Sequence, residues 1–189
     1  MNKLGIFYTY WVRDWDDDVH PYIDKVADLG FDLIEMQSGM ITAMSSEERR
    51  SLKAHLDERG IDFTSVIGLP PEYDVSSEDE SVRKAGIAYL NEITAAVGEI
   101  GGGIVGGIIY STWPASMPPG VTDKRPYTER SIASMKEAVK GAEDNNIVFT
   151  VEVVNRFEQF ILNTCEEALD YVKAVDSTNV KIMLDTFHL

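Results

Sequence analysis

An α/β chain of parallel strands, curved into the first part of a (β/α)8 (TIM) barrel, is the fold this sequence predicts, and three observations predict it. Short apolar runs begin near residues 4, 31, 62, 104, 147 and 180, with helical stretches between them. Charged or aromatic residues follow nearly every run: Tyr10 and Trp11, Glu35, Glu72, Trp113, Glu152 with Glu158, and Asp185 with His188. The glycine fingerprint of a dinucleotide fold is missing after the first run, where YTYWVRDW stands instead. Regular alternation implies a parallel sheet with right-handed crossovers, and convergence of so many strand ends on one point needs a ring.

The elements follow in order. Leu4 to Tyr10 is an apolar and aromatic first strand. Asp16 to Asp18 complement a helix start, and Val19, Ile23, Val26 and Ala27 continue at helical spacing until Gly30. Phe31 to Met36 is the second strand. Ser45 and Ser46 with Glu48 form a capping arrangement for a helix through Arg59, stopped by Gly60. Asp62 to Ile67 is the third strand, and the turn GLPPEYD follows. Ser76 and Ser77 open a long helix to about Ile100. Ile104 to Tyr110 is the fourth strand. Its GGGIVGG run feeds no helix and has no lysine-serine pair, so close packing explains the glycines better than a phosphate loop. A long loop, Ser111 to Tyr127, carries Trp113 and four prolines, and loops of that length are usually functional. A helix from Thr128 to Asn145, the strand with Glu152, a helix from Cys165 to Val175 and the strand with Asp185 complete the chain.

A barrel takes roughly 250 residues, whereas these 189 end at the close of a sixth strand. The expectation is one domain, residues 1–189, forming the first three-quarters of a barrel truncated after strand 6. A formal net charge of −15 argues against a nucleic-acid partner, because no basic stripe exists to release counterions. No apolar run reaches membrane-spanning length. With a single cysteine, Cys165, no internal disulfide forms, and a cytoplasmic setting is expected.

Glu152 and Asp185 stand among strand apolars on consecutive parallel strands, so they would lie side by side at one mouth of the sheet. A charge in such surroundings costs several kcal/mol unless it is paired or binds a metal. A buried ion pair is the alternative reading. Trp113 on its loop and Trp15 before the first helix read as pocket walls, whereas His20 and His55, without carboxylates at ligand spacing, read as surface residues. Glu35 ends a strand facing the same mouth, and Arg156 could pair with Glu158 as simple structure.

The stretches MNKLGIFYTYW, LGFDLIEM, IGLPPEYD, DKRPYTERSI, VEVVNRFEQF and LDTFHL, in this order, carry a resemblance to the D-tagatose 3-epimerase and D-psicose (allulose) 3-epimerase family. That family belongs to the xylose isomerase-like barrel superfamily. The resemblance implies a (β/α)8 barrel, usually a homodimer at full length, acting on free ketohexoses such as D-tagatose, D-sorbose, D-fructose and D-psicose. It implies one divalent metal, most often Mn²⁺, with Mg²⁺ or Co²⁺ as substitutes, held by two glutamates, an aspartate and a histidine. Glu152 matches the first glutamate, which is also an acid–base catalyst, and Asp185 matches the aspartate. Glu158 and His188 match residues that hydrogen-bond the O1–O2 end of the sugar, and Phe7, Trp15, Val66 and Trp113 match the pocket walls. The family's metal histidine, second glutamate and a further arginine would lie beyond residue 189. The 189-residue chain is therefore expected to bind metal weakly or not at all and to turn nothing over. A related sugar isomerase, an inosose-type dehydratase and a non-catalytic fragment remain the alternatives, and acidity disfavours an endonuclease.

Overall fold

A computed structural model describes residues 2–14 and 17–188. Six parallel strands pair in sequence order: β1 (Gly5–Phe7), β2 (Leu33–Gln37), β3 (Asp62–Leu69), β4 (Ile104–Thr112), β5 (Val148–Val153) and β6 (Val180–Leu184). The helices are α1 (His20–Asp28), α2 (Ser38–Ala43), α3 (Ser46–Arg59), α4 (Glu80–Glu99), α5 (Arg125–Asp144) and α6 (Cys165–Val175). The strand-then-helix order predicted above is present throughout, as an open arc of a (β/α)8 barrel.

Strand alternation tells the two faces of the sheet apart. In β3, Phe63, Ser65, Ile67 and Leu69 are buried, while Thr64, Val66 and Gly68 between them are half-buried. In β5, Phe149, Val151 and Val153 are buried, and Thr150 and Glu152 alternate with them. The buried set joins Leu52, Leu56, Leu90, Ile93, Val97, Met135 and Val139 of the helices in one hydrophobic core. The main core thus lies between sheet and helices, and the half-buried set lines the concave side. Each fully buried Leu, Ile or Phe contributes roughly 1.5–3 kcal/mol, enough to hold every helix against the arc.

Glycine fits where β3 and β4 come closest. Gly107 has φ +101°, and a Cβ there would run into the backbone of Ile67. A Cβ on Gly106 would meet Thr150 Oγ1 across β5. The reading of GGGIVGG as close packing holds for Gly102, Gly106 and Gly107, whereas Gly101 and Gly103 have no such close neighbour.

Several boundaries differ from those the sequence predicts, and one helix is additional. β1 stops at Phe7, and Tyr8–Tyr10 turn into a 3-10 helix that buries Tyr8. A short helix, α2, follows β2 directly, its first turn capped by the side chain of Gln37. α4 starts at Glu80 with Asp79 as its cap, because Ser76 is used by Asp74 and Ser111 instead. α5 starts at Arg125, where Pro126 fits a first turn that needs no N–H. The capping box of α3 forms as read: Glu48 accepts from the Ser45 N–H at 2.7 Å, and the Ser45 hydroxyl accepts in return.

Candidate metal and sugar site

The carboxyl ends of the strands bring most of the singled-out residues into one cleft of about 420 Å³. Phe7, Val66, Trp113, Glu152, Glu158, Asp185 and His188 all line it. Trp15 lies outside the described residues. Glu35, Met183 and Thr186 join the lining.

Registry explains the convergence. Phe7 pairs with Glu35 and Glu35 with Thr64, so three neighbouring strands present these side chains at one level. Glu152 pairs with Met183, two residues before Asp185, which stands just past the end of β6. Asp185 Oδ1 accepts the N–H of Phe187 at 2.8 Å, and its carbonyl accepts that of His188. This turn folds His188 back over the strand end. Its side chain is 7% exposed, with Nε2 3.5 Å from Glu152 Oε1 and 4.0 Å from Asp185 Oδ2. One ligand atom each from Glu152, Asp185 and His188 lie within 4.8 Å of one another.

The loop after β5 is built to hold Glu158. Buried Gln159 donates to the carbonyl of Thr112 at 2.7 Å and accepts from the N–H groups of Phe160 and Ile161. Asn163 donates to the carbonyls of Val154 and Gln159. On that frame Glu158 receives Trp113 Nε1–H on Oε2 at 3.0 Å and Asn155 Nδ2–H on Oε1 at 2.9 Å. Trp113 and Asn155 therefore hold Glu158 in place of Arg156, which forms no ion pair with Glu158 among the described residues. Trp113 is itself tied down by its N–H on Leu69 O at 2.8 Å and packs over Gly68.

Charge is concentrated here, with His188 as the nearest base. Glu152 is pushed up to about 7, chiefly by burial and then by the charges of Asp185, Glu35 and Glu158. Glu35 is raised as well, again mainly by burial, despite a hydrogen bond from Thr64 Oγ1 at 2.9 Å. No lysine or arginine lines the cleft among the described residues. Four carboxylates around a half-buried cleft make a place for a cation, and an all-oxygen set around an imidazole suits hard divalent ions.

The structure corrects one expectation. His20 and His55 are not isolated surface residues: their rings stack with centroids 5.1 Å apart, and the two Nδ1 atoms stand 2.8 Å from each other. His55 Nε2 also meets Asp24 Oδ1 at 3.1 Å. The partners sit on α1 and α3, more than thirty residues apart, so local spacing carried no sign of them. Asn155 was also missed as a site residue, although it lies inside the VEVVNRFEQF stretch.

Residues 23–189 match the xylose isomerase-like TIM barrel family. The chain is 39% identical over 187 residues to a D-psicose 3-epimerase of Ruminiclostridium cellulolyticum, covering 99% of this chain and 64% of that protein. It is 38% identical to a D-psicose 3-epimerase of Agrobacterium fabrum over the same shares. Among solved structures, the D-psicose 3-epimerase of Clostridium cellulolyticum H10, determined with D-tagatose, superposes with a TM-score of 0.95 at 39% identity, over 99% of this chain and 64% of that one. An L-ribulose 3-epimerase superposes at 0.87 with 28% identity, over 100% of this chain and 62% of that one. The chain thus spans about 64% of the length of these two curated relatives.

Proposed function

The chain belongs to the xylose isomerase-like TIM barrel family, and from that premise we propose that it carries the first six strands of a metal-dependent ketose 3-epimerase, interconverting C3 epimers of free ketohexoses. The observation that carries this reading is the meeting of Glu152, Asp185 and His188 within 4.8 Å at the strand ends. Relatives named D-psicose 3-epimerase at 36–39% identity support the substrate class, with D-fructose/D-psicose and D-tagatose/D-sorbose as the pairs.

Epimerisation at C3 removes a proton next to the C2 carbonyl and returns one to the opposite face, with the charge spread over an enediolate. Glu152 would take or give that proton at C3, and it must hold its carboxyl beside the carbon to do so. Glu152 and Asp185 would hold the divalent ion, with Mn²⁺ the first choice and Mg²⁺ or Co²⁺ alternatives. When bound, the ion supplies Lewis-acid stabilisation of negative charge on the sugar oxygens. Glu158 and His188 would bind the O1–O2 end of the ketose, Glu158 accepting from hydroxyls and His188 donating. Phe7, Val66 and Trp113 would pack on the sugar and exclude water, and Trp15 is proposed as a further wall. The lack of lysine or arginine in the lining among the described residues supports a free sugar over a phosphorylated one.

By the family resemblance, the remaining metal donors and a second acid–base glutamate belong to later strands. We infer that residues 1–189 make one domain with them and that the full-length form is a homodimer. Among the described residues, no helix is long and apolar enough to cross a membrane, and the single, exposed Cys165 supports a cytoplasmic setting.

The test is saturation-transfer NMR with D-fructose, D-psicose and D-tagatose in the presence of Mn²⁺. The ketoses give transfer that falls at least about tenfold in W113A and E158Q, while glucose 6-phosphate gives none. Preference for the sugar phosphate would overturn the reading. In parallel, product analysis from the 189-residue chain alone shows no C3 epimer; turnover would refute its inactivity, and an aldose product would favour the sugar isomerase alternative.

A further inference from the structure

Asn155 touches both polar residues assigned to the sugar, and its own orientation is fixed from outside the cleft. The backbone N–H of Phe157 donates to Asn155 Oδ1 at 3.0 Å. That leaves the amide nitrogen as the end turned to the site. It donates to Glu158 Oε1 at 2.9 Å and stands 2.7 Å from Nδ1 of His188. An amide nitrogen has two hydrogens and no lone pair to offer, so His188 Nδ1 must be the acceptor. A neutral imidazole that accepts at Nδ1 carries its proton on Nε2, the nitrogen that faces Glu152 and Asp185.

We propose that Asn155 is a positioning residue that holds His188 in the Nε2–H tautomer and so makes it a hydrogen-bond donor into the cleft. The inference rests on the reading of His188 as a sugar-binding residue and deepens it. The Nε2–H form presents a proton to an oxygen acceptor, such as a ketose carbonyl or hydroxyl oxygen. The opposite tautomer would present a lone pair, which suits a metal ion. Asn155 thereby divides the labour among three side chains that lie close enough to share one cation. It leaves the ion to Glu152 and Asp185 and reserves His188 for the substrate. The same amide steadies Glu158, so one side chain orients both polar contacts to the sugar.

The test reads the tautomer directly, in the full 189-residue chain without metal or sugar. Long-range ¹H–¹⁵N correlation on ¹⁵N-histidine protein shows which ring nitrogen bears the proton. There are three histidines to assign, and H188Q identifies the signal. His188 is expected as Nε2–H. In N155D, where a carboxylate can only accept, the protonated and bare nitrogens of His188 exchange places; in N155L the two forms mix. The signals of His20 and His55, on the α1–α3 side, stay put and report that the fold is intact. An Nδ1–H tautomer in the parent would overturn the proposal, as would an unchanged Nε2–H form in folded N155L. Should N155D fail to fold, the parent and N155L decide. Failure of ketose binding would not move these spectra, so the epimerase reading and this inference fail separately.

Discussion

Acids cluster in two places in this molecule, and they are treated in opposite ways. Between α1 and α3, Asp24 meets Arg59 Nε at 3.2 Å and His55 at 3.1 Å, while Asp28 is bonded by the other arm of Arg59. Each carboxylate there has a base within reach and sits largely in water. At the mouth of the arc, Glu35, Glu152, Glu158 and Asp185 face one another with His188 as the nearest base. The first cluster gains modestly from each pair; the second is held together against its own charge by the strands beneath it. The cluster without a lysine or arginine, and not the larger number of surface acids, is therefore the face we propose as functional.

The sharpest way to break this comparison is to vary pH. Folded protein binds the Glu152 proton more tightly than the unfolded chain does, with the group at about 7 against an ordinary 4.5. Stability from this group is therefore present below about pH 4.5 and is lost as pH rises toward 7. At 1.36 kcal/mol per unit, the loss reaches as much as ~3 kcal/mol. Denaturant melts of E152Q should show that slope flattened and the variant more stable than the parent at pH 8. An unchanged slope would mean that the mouth carries no excess charge.

Comparable in size is Gly107→Ala beneath the same mouth. Its left-handed φ and the nearby Ile67 backbone predict a loss of roughly 2–4 kcal/mol in equilibrium unfolding. A neutral result would contradict the close β3–β4 approach. On the opposite cluster, R59A should cost about 1 kcal/mol, since two partly exposed ion pairs are lost. A loss as large as that of Gly107→Ala would erase the contrast between the two regions. Smallest of all, K84A removes an exposed helix pair with Glu80 and should leave the Tm unchanged.

Much of this was legible in the sequence, for physical reasons that differ by residue. The strands announced themselves because Val, Ile and Phe recur in short runs, and the sites on them followed because Glu152 and Asp185 break those runs with charge. Val66 came from likeness to relatives rather than from pattern, whereas Trp113 stood out on its long loop as well. The α1–α3 histidine pair was invisible because its members meet only after two helices dock. Helix α2 was missed because SGMITA has too few residues to show a period, and its cap is the side chain of Gln37. Asn155 stayed hidden because an amide on a loop is ordinary until its two hydrogens are traced to Glu158 and His188.

The account stands or falls on Glu152 and Asp185 sharing one cation at the mouth. Paramagnetic broadening by Mn²⁺ tests this most directly, because it detects even weak binding in the 189-residue chain. The account predicts that substoichiometric Mn²⁺ selectively broadens resonances around residues 152, 185 and 188, and that E152Q together with D185N abolishes the effect. Broadening centred on the α1–α3 acids, or an undiminished effect in the double variant, would contradict it.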